Sequence, residues 1–287
     1  MTSSVPQDTR RVVLVTGASS GIGKACAEHL ARRGWRVFGT QRQPPAEAKG
    51  DAAMEMVAMD VDLDASVSEA IRVILAKAGR LDAVVNNAGV SLMGAVEDTS
   101  IAEAKAQLET NFFGALRVCH EVLPVMRRQG HGHIVNISSL AGIVGVPFSG
   151  MYSASKFALE GMSQAMRLET RPFGIRVALI QPGDFRSDMT QRRRVAAASQ
   201  VNDAYATISR HFKEKQDRDE AAAPSPEPIA RLLERILNDP NPKFRYPIAQ
   251  WGQRIVVPLH RLLPQRAFEW LLCRVIGLTS APGYRRT

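Results

Sequence analysis

Over the first two thirds of the chain, short runs of consecutive apolar residues alternate with longer stretches where apolar positions recur every three or four residues. The runs at 12–16, 36–40, 56–59, 83–86, 133–138 and 176–180 are strand-length, and unbroken apolarity suits strands buried on both faces. Between them the periodicity predicts helices over about 22–33, 65–78, 101–128 and 152–171, with Pro124 placed to kink the third toward its end. Such alternation predicts an α/β fold with one parallel sheet wrapped by helices on both faces.

After Gln181 the alternation stops. Residues 186–219 read as a polar, partly helical excursion and 223–228 as a breaker-rich joint. A helix over 229–237, opened by Pro228, a turn over 238–242 and a last strand over 244–248 follow. The end, 254–278, mixes apolar residues with arginines and is broken by Pro258 and Pro264, which predicts a C-terminal helical extension. The chain divides into a core over 10–185, a lid over 186–223 and an extension over 244–287, within one domain spanning 1–287.

Composition narrows the classes. The three cysteines, Cys26, Cys119 and Cys273, stand far apart, which excludes a disulfide framework and a zinc site and implies a reducing compartment. The first eleven residues hold no apolar leader segment, and no stretch reaches the length of a membrane span, so a cytoplasmic protein is expected. Of the net charge of +9, residues 244–287 carry +6. A nucleic-acid binder spreads its basic stripe over the main domain, so nucleic acid is not expected as a partner. The basic tail points to an anionic surface or to no function.

Candidate chemistry begins at Thr16–Lys24, a glycine-rich string between the first strand and first helix. There, backbone amides and the helix N-terminus suit a pyrophosphate. Gly17 makes the tight turn, and Gly21 and Gly23 permit close approach. The spacing of these glycines resembles the short-chain dehydrogenase/reductase family. The likeness extends to Asn86, Asn87, Ala88 and Gly89 after the fourth strand, Asp60 and Val61 after the third, and Pro182 and Gly183 after the sixth. It implies a Rossmann-type doubly wound sheet and a nicotinamide dinucleotide, touched also by Ser19, Ser20, Ile22, Phe185 and Ser187. Ser187 stands where many relatives have threonine. An NAD site usually has an acid about 20 residues past the glycines. Here no acid appears until Glu47, and Arg42 offers a guanidinium suited to a phosphate. By the resemblance, Arg42 and Ser20 hold a 2′-phosphate, so the expected cofactor is NADP(H).

Tyr152 and Lys156 stand four apart at a helix start, hence on one face. A neighbouring lysine and an oxidised nicotinamide both favour phenolate, which predicts a lowered phenol pKa and a general acid–base. The resemblance places a catalytic serine thirteen residues earlier, which selects Ser139 for the substrate oxygen and leaves Ser138 to support the turn. It also assigns Lys156 to the nicotinamide ribose, and Asn111 to a local helix break that holds a water.

The stretch 140–151 is almost wholly apolar, and Val90, Leu92, Met93, Phe185 and Met189 add to it. Ser139, Leu140, Val146, Tyr152 and Met189 are the expected substrate contacts, for a hydrophobic ketone, aldehyde or alcohol. The run Gln191–Arg194 reads as a solvated face rather than a seat for an acidic substrate. Residues 17–21 also match a GxSxG hydrolase elbow, but no segment supplies a triad, and His131 and His133 read as surface residues at the far end. An epimerase or dehydratase and a non-catalytic NADP-binding sensor or membrane-associated protein are the alternative classes. The tail is similar to hydroxysteroid and retinol dehydrogenase-like members. It packs on the domain, on a partner subunit or on a membrane as a peripheral contact, with packing favoured. The resemblance implies a homodimer or homotetramer through helices near 101–129 and 152–172.

Overall fold

In the computed structural model, residues 9–44, 54–189 and 192–282 are described; Glu47, Gln191, Arg285 and Arg286 lie outside them. In chain order the first elements are β1 (Val12–Val15), α1 (Gly21–Arg32), β2 (Arg36–Gln41), β3 (Met54–Ala58), α2 (Asp64–Ala78) and β4 (Ala83–Asn86). Then come β5 (Leu92–Met93), α3 (Ile101–Leu108), α4 (Gly114–Gln129), β6 (Gly132–Ile137), α5 (Gly150–Thr170) and β7 (Ile175–Pro182). The remainder holds β8 (Arg194–Val195), α6 (Asp203–Ala221), α7 (Glu227–Asn238), β9 (Arg245–Ile248), α8 (Trp251–Arg254), α9 (Val256–Leu262) and α10 (Gln265–Val275).

Seven strands form one parallel sheet in the order β3-β2-β1-β4-β6-β7-β9. The order reverses between β1 and β4, and in such sheets the crevice at that switch point, outside the carboxyl ends, takes the ligand. Alternate side chains of β1 fix the two layers. Val13 and Val15 pack with Cys26 and Leu30 of α1 and with Ile229, Leu233 and Ile236 of α7. Val12 and Leu14 face the other way, onto Val67 and Ile74 of α2 and Val118, Val122 and Met126 of α4. Both cysteine thiols in these layers, Cys26 and Cys119, are pushed up to about 12 by burial and are inert packing groups.

Three departures from the sequence reading concern the site. The expected helix over 101–128 is interrupted by a π-type turn, Glu109–Phe113, while α4 runs through Pro124 to Gln129. The break falls at Asn111, where the resemblance places it, and the departure is that the helix continues unbroken through the proline. Leu92 and Met93 are a buried two-residue strand paired with β8, an element too short to leave a period in the sequence. His133 is half-buried and bonds the Asp239 carbonyl, whereas His131 is exposed as expected.

The tail folds as three short helices. One side of it meets the domain: a Cβ on Gly183 would overlap the Gln253 side chain, and Gly277 lies against Lys215 of α6. The other side presents Trp251, 86% exposed, with Ile255, Leu262 and Trp270. Among the described residues no helix is long and apolar enough to cross a membrane.

Candidate active site

The loop leaving β1 is built by hydrogen bonds that bring two segments together. Thr16 Oγ1 accepts from the Asn87 and Ala88 amides, both at 2.9 Å, and Asn87 Nδ2 donates back to the Thr16 carbonyl at 2.9 Å. Gly17 and Gly21 adopt left-handed φ values of +65° and +53°, which favour glycine. A Cβ at Gly23 would overlap the Gly17 carbonyl and the Asn87 amide, so Gly23 serves helix-to-loop packing and does not line the cleft. The first turn of α1 has no acidic residue and Ser20 makes no side-chain cap, which leaves its amides for an anion.

These segments wall a cleft of about 490 Å³. Gly17, Ser19, Ser20, Gly21 and Ile22 line one side. Arg42, just past β2, together with Asp60 and Val61 past β3 and Asn87, Ala88 and Gly89 past β4, line the rest. Arg42 is exposed on this wall.

Ile22, Asn87, Ser91, Ser187 and Met189 are shared with a second cavity, of about 450 Å³, so the two spaces adjoin. The second holds Ser139, Tyr152 and Lys156, with Leu140, Val146, Pro182, Gly183 and Phe185 around them. Lys156 is buried; its Nζ donates to the Ile137 carbonyl at 2.8 Å and lies 5.8 Å from the centre of the Tyr152 ring. Burial lowers its pKa to about 8, against the pull of Glu160 one turn on. Ser139 Oγ accepts from the Ala141 amide at 3.1 Å, and the same hydroxyl faces the Tyr152 phenol. The phenol, expected to be lowered beside the lysine and an oxidised nicotinamide, is raised without that cofactor: burial dominates, Ser139 opposes it, and the carboxylates of Glu220 and Asp184 add to the rise. In the protein alone Tyr152 is therefore a protonated acid.

Asn111 lines neither space. Its side chain binds the Val90 amide at 2.8 Å, the Val90 carbonyl at 3.0 Å and Ser155 Oγ at 3.0 Å. It thus ties the loop after β4 to the turn of α5 that carries Lys156. A parallel tie runs from Asn86 to Asn136 (2.8 Å) and on to Ser163 (2.7 Å). Ser138 does not support a turn: its buried hydroxyl has no partner.

The rest of the cavity wall comes from the expected lid and from the C-terminal extension, in which the sequence reading named no substrate contact beyond Met189. Phe212, Gln216 and Glu220 of α6, Gln253 of α8, and Val256, Leu272 and Ile276 of the tail all line it. Arg193, read as part of a solvated face, has a side chain only 5% exposed, paired at 3.1 Å with Asp217 and also with Glu220. Arg186 is exposed and lies outside the cavity. No histidine lines either space, so the serines of the glycine loop lack a base for hydrolase chemistry. Among the described residues no group of His, Cys, Asp and Glu is placed to hold a metal.

The glycine cradle, the free helix N-terminus and the adjoining Tyr–Lys–Ser group fit a nicotinamide dinucleotide. Comparison with known proteins agrees. The family model described as "short chain dehydrogenase" matches residues 11–198. The chain is 37% identical over 262 residues to a 3-ketodihydrosphingosine reductase of Bacteroides thetaiotaomicron, covering 91% of this chain and 96% of that protein. It is 33% identical over 261 residues to retinol dehydrogenase 8 of Bos taurus, covering 83% and 81%. A short-chain dehydrogenase structure from Streptomyces avermitilis superposes with TM-score 0.78 at 31% identity, covering 95% of this chain and 98% of that one. The structure of ElxO with NADP bound superposes with TM-score 0.69 at 26% identity, covering 84% and 98%.

Proposed function

The chain belongs to the short-chain dehydrogenase family, and from that premise we propose that it is an NADP(H)-dependent reductase of hydrophobic ketones or aldehydes. The observation that carries the reading is the placement of Ser139, Tyr152 and Lys156 in a largely apolar cavity that adjoins the glycine-loop cleft. A reduced nicotinamide held in that cleft would supply the hydride that a carbonyl carbon accepts. The chain's own residues handle the oxygen. Ser139 donates to it, and Tyr152, kept protonated by burial, gives its proton to the developing alkoxide. Lys156, with its pKa near 8, stands behind the phenol to return a proton to it. Leu140, Val144 and Val146 keep water from the reacting carbon.

Arg42 and Ser20 on the cleft wall support NADP over NAD, as does the absence of an acid at the end of β2. The apolar cavity lining supports a hydrophobic substrate, and the named substrates of the two curated relatives are of that kind. In this reading residues 10–185 bind cofactor and carry the chemistry, 186–223 form the substrate lid, and 244–287 complete the pocket. Phe113, Leu116, Phe157 and Leu168, exposed on the π-turn, α4 and α5, support a homodimer through those helices. The exposed Trp251, Leu262 and Trp270 among tail arginines support contact with an anionic lipid surface.

The test is oxidation of NADPH and NADH by the purified protein with long-chain ketones, beside Tyr152→Phe. NADPH turnover that the variant loses while still binding NADPH is the expected result. Undiminished turnover by the variant contradicts the assignment.

A further inference from the structure

The turn of α5 after Lys156 carries a second buried charge. Glu160, 6% exposed, stands one turn beyond Lys156, itself 4% exposed, and residues four apart on a helix are neighbours. Both oxygens of Glu160 are met from the sheet. Gln181 Nε2 on β7 donates to Oε1 at 2.8 Å, and Arg245 Nε on β9 donates to Oε2 at 2.8 Å. Arg245 in turn donates to Gln164 Oε1 at 3.2 Å and lies over the Phe244 ring. The carboxylate thus has the donors that burial demands. It does not line the substrate cavity, and packing alone does not call for it. An apolar side chain would fill the space between α5, β7 and β9 without a buried charge.

Lys156 turns its Nζ to the Ile137 carbonyl, a neutral acceptor, and burial works against its charge. Around it lie Tyr152 on the same helix, Asp184 past β7, Arg193 before β8, and Lys215, Asp219 and Glu220 on α6. None of these moves the Lys156 ammonium; Glu160 does, toward the charged form. Glu160 and Lys156 share no hydrogen bond, since one faces the sheet edge and the other the Ile137 carbonyl. The influence is that of one charge on another in a water-poor interior, where screening is weak.

We propose that Glu160 is a positioning residue of the reaction: anchored by Gln181 and Arg245, it holds Lys156 as an ammonium, the form that can return a proton to Tyr152. A neutral lysine has no proton to give, and the phenol would stay uncharged with its proton only while substrate waited, not after it had spent it. The last strand of the sheet thus reaches the reacting centre through Arg245 and Glu160, neither of which lines the cavity. This inference rests on the reductase reading and adds to it the group that sets its working pH range.

The experiment follows Lys156 itself and then its use. In the full-length protein without cofactor, NMR of isotope-labelled lysine titrates the Lys156 Cε resonance, assigned by its loss in Lys156→Met. The wild type should titrate near about 8, Glu160→Gln at lower pH, and Glu160→Asp, which keeps the charge, close to the wild type. In long-chain ketone reduction with NADPH, Glu160→Gln should lower kcat/KM about threefold or more near pH 8 and leave it within about twofold near pH 6. Glu160→Asp should recover most of that loss. A Lys156 titration unmoved in Glu160→Gln overturns the proposal, as does an equal loss of kcat/KM at both pH values, which a packing defect would give. Should Glu160→Gln not fold, Arg245→Gln decides: with the guanidinium gone the Glu160 charge is unopposed, and the Lys156 titration should rise, whereas a fall or no change overturns the proposal. Should the wild type reduce no ketone, the reductase reading fails, and the titrations still decide the hold of Glu160 on Lys156.

Discussion

The cofactor cleft and the substrate cavity share Ile22, Asn87, Ser91, Ser187 and Met189, yet they are made in opposite ways. The cleft is mostly backbone: glycines with positive φ, free amides at the start of α1, and loops tied by Thr16 and Asn87. The cavity is mostly side chains, brought from α5, the loop past β7, α6 and the tail. Backbone presents the same amides whatever the neighbouring side chains, so a cleft of that kind holds one invariant ligand. Side chains on a lid change with each substitution, so a cavity of that kind sets which substrate enters.

The comparison is sharpened first where the two spaces meet. Ser139→Ala removes a donor to the substrate oxygen and should lower kcat by about 10²–10³. Its KM for NADPH should stay within about twofold, near the kinetic noise of ~0.4 kcal/mol. A variant that lost cofactor affinity instead would move Ser139 to the other side of the divide.

Arg42→Ala tests the guanidinium proposed, with Ser20, to select NADP(H). KM for NADPH should rise about tenfold or more, the worth of a charge-assisted pair with a phosphate. KM for NADH should change little. Steady-state kinetics with both cofactors reads the difference, and parallel rises in both KM values would leave Arg42 a general electrostatic contact.

Behind the cleft, at the amino ends of the strands, Asp82 Oδ2 accepts from the Val12 amide at 2.8 Å. Oδ1 pairs with Arg80 and lies 3.0 Å from His131. Burial pushes this carboxyl up, but Arg80, the Val12 amide and His131 outweigh it and hold it below the ordinary carboxylate range. A depressed folded-state pKa contributes stability above the unfolded value, near 3.8, that is lost as pH falls through the lower folded one. Asp82→Asn should therefore cost about 1–3 kcal/mol at pH 7 and progressively less in acid. Thermal unfolding at both pH values measures this, and kcat should be unaffected.

The smallest effect is expected on the outer face of the tail. Trp270, 59% exposed, should give a change of under about 0.5 kcal/mol on replacement by serine. The same variant should sediment less with anionic vesicles, and equal sedimentation would return the tail to packing alone.

The divide also explains what was legible in the sequence. The glycine string, the Asn86–Gly89 turn and the Tyr152–Lys156 pair are local patterns, each confined to a few residues of one turn, and the structure puts them around one crevice. The seven-stranded sheet follows from strand-length apolar runs, including the last over 244–248, observed as Arg245–Ile248. Three features were not legible because distant contacts make them. Leu92–Met93 is a strand only because Arg194–Val195 arrives beside it. Arg193 is buried only because α6 presents Asp217 and Glu220 to it. Phe148 holds a positive φ of 56°, unusual for an aromatic residue, where Gly94 bonds its carbonyl at 2.8 Å and Phe212 packs on its ring. The rise of the Tyr152 phenol belongs here as well, since it depends on burial and on two carboxylates remote in sequence.

The most direct test of the central claim is NADPH oxidation with a long-chain ketone by the wild type and Tyr152→Phe, with NADPH affinity measured on both by fluorescence. The account predicts turnover in the wild type, a loss of about 10²–10⁴ in the variant, and similar NADPH affinity in the two. Turnover preserved in Tyr152→Phe would contradict it, as would a wild type that binds NADPH and reduces no ketone.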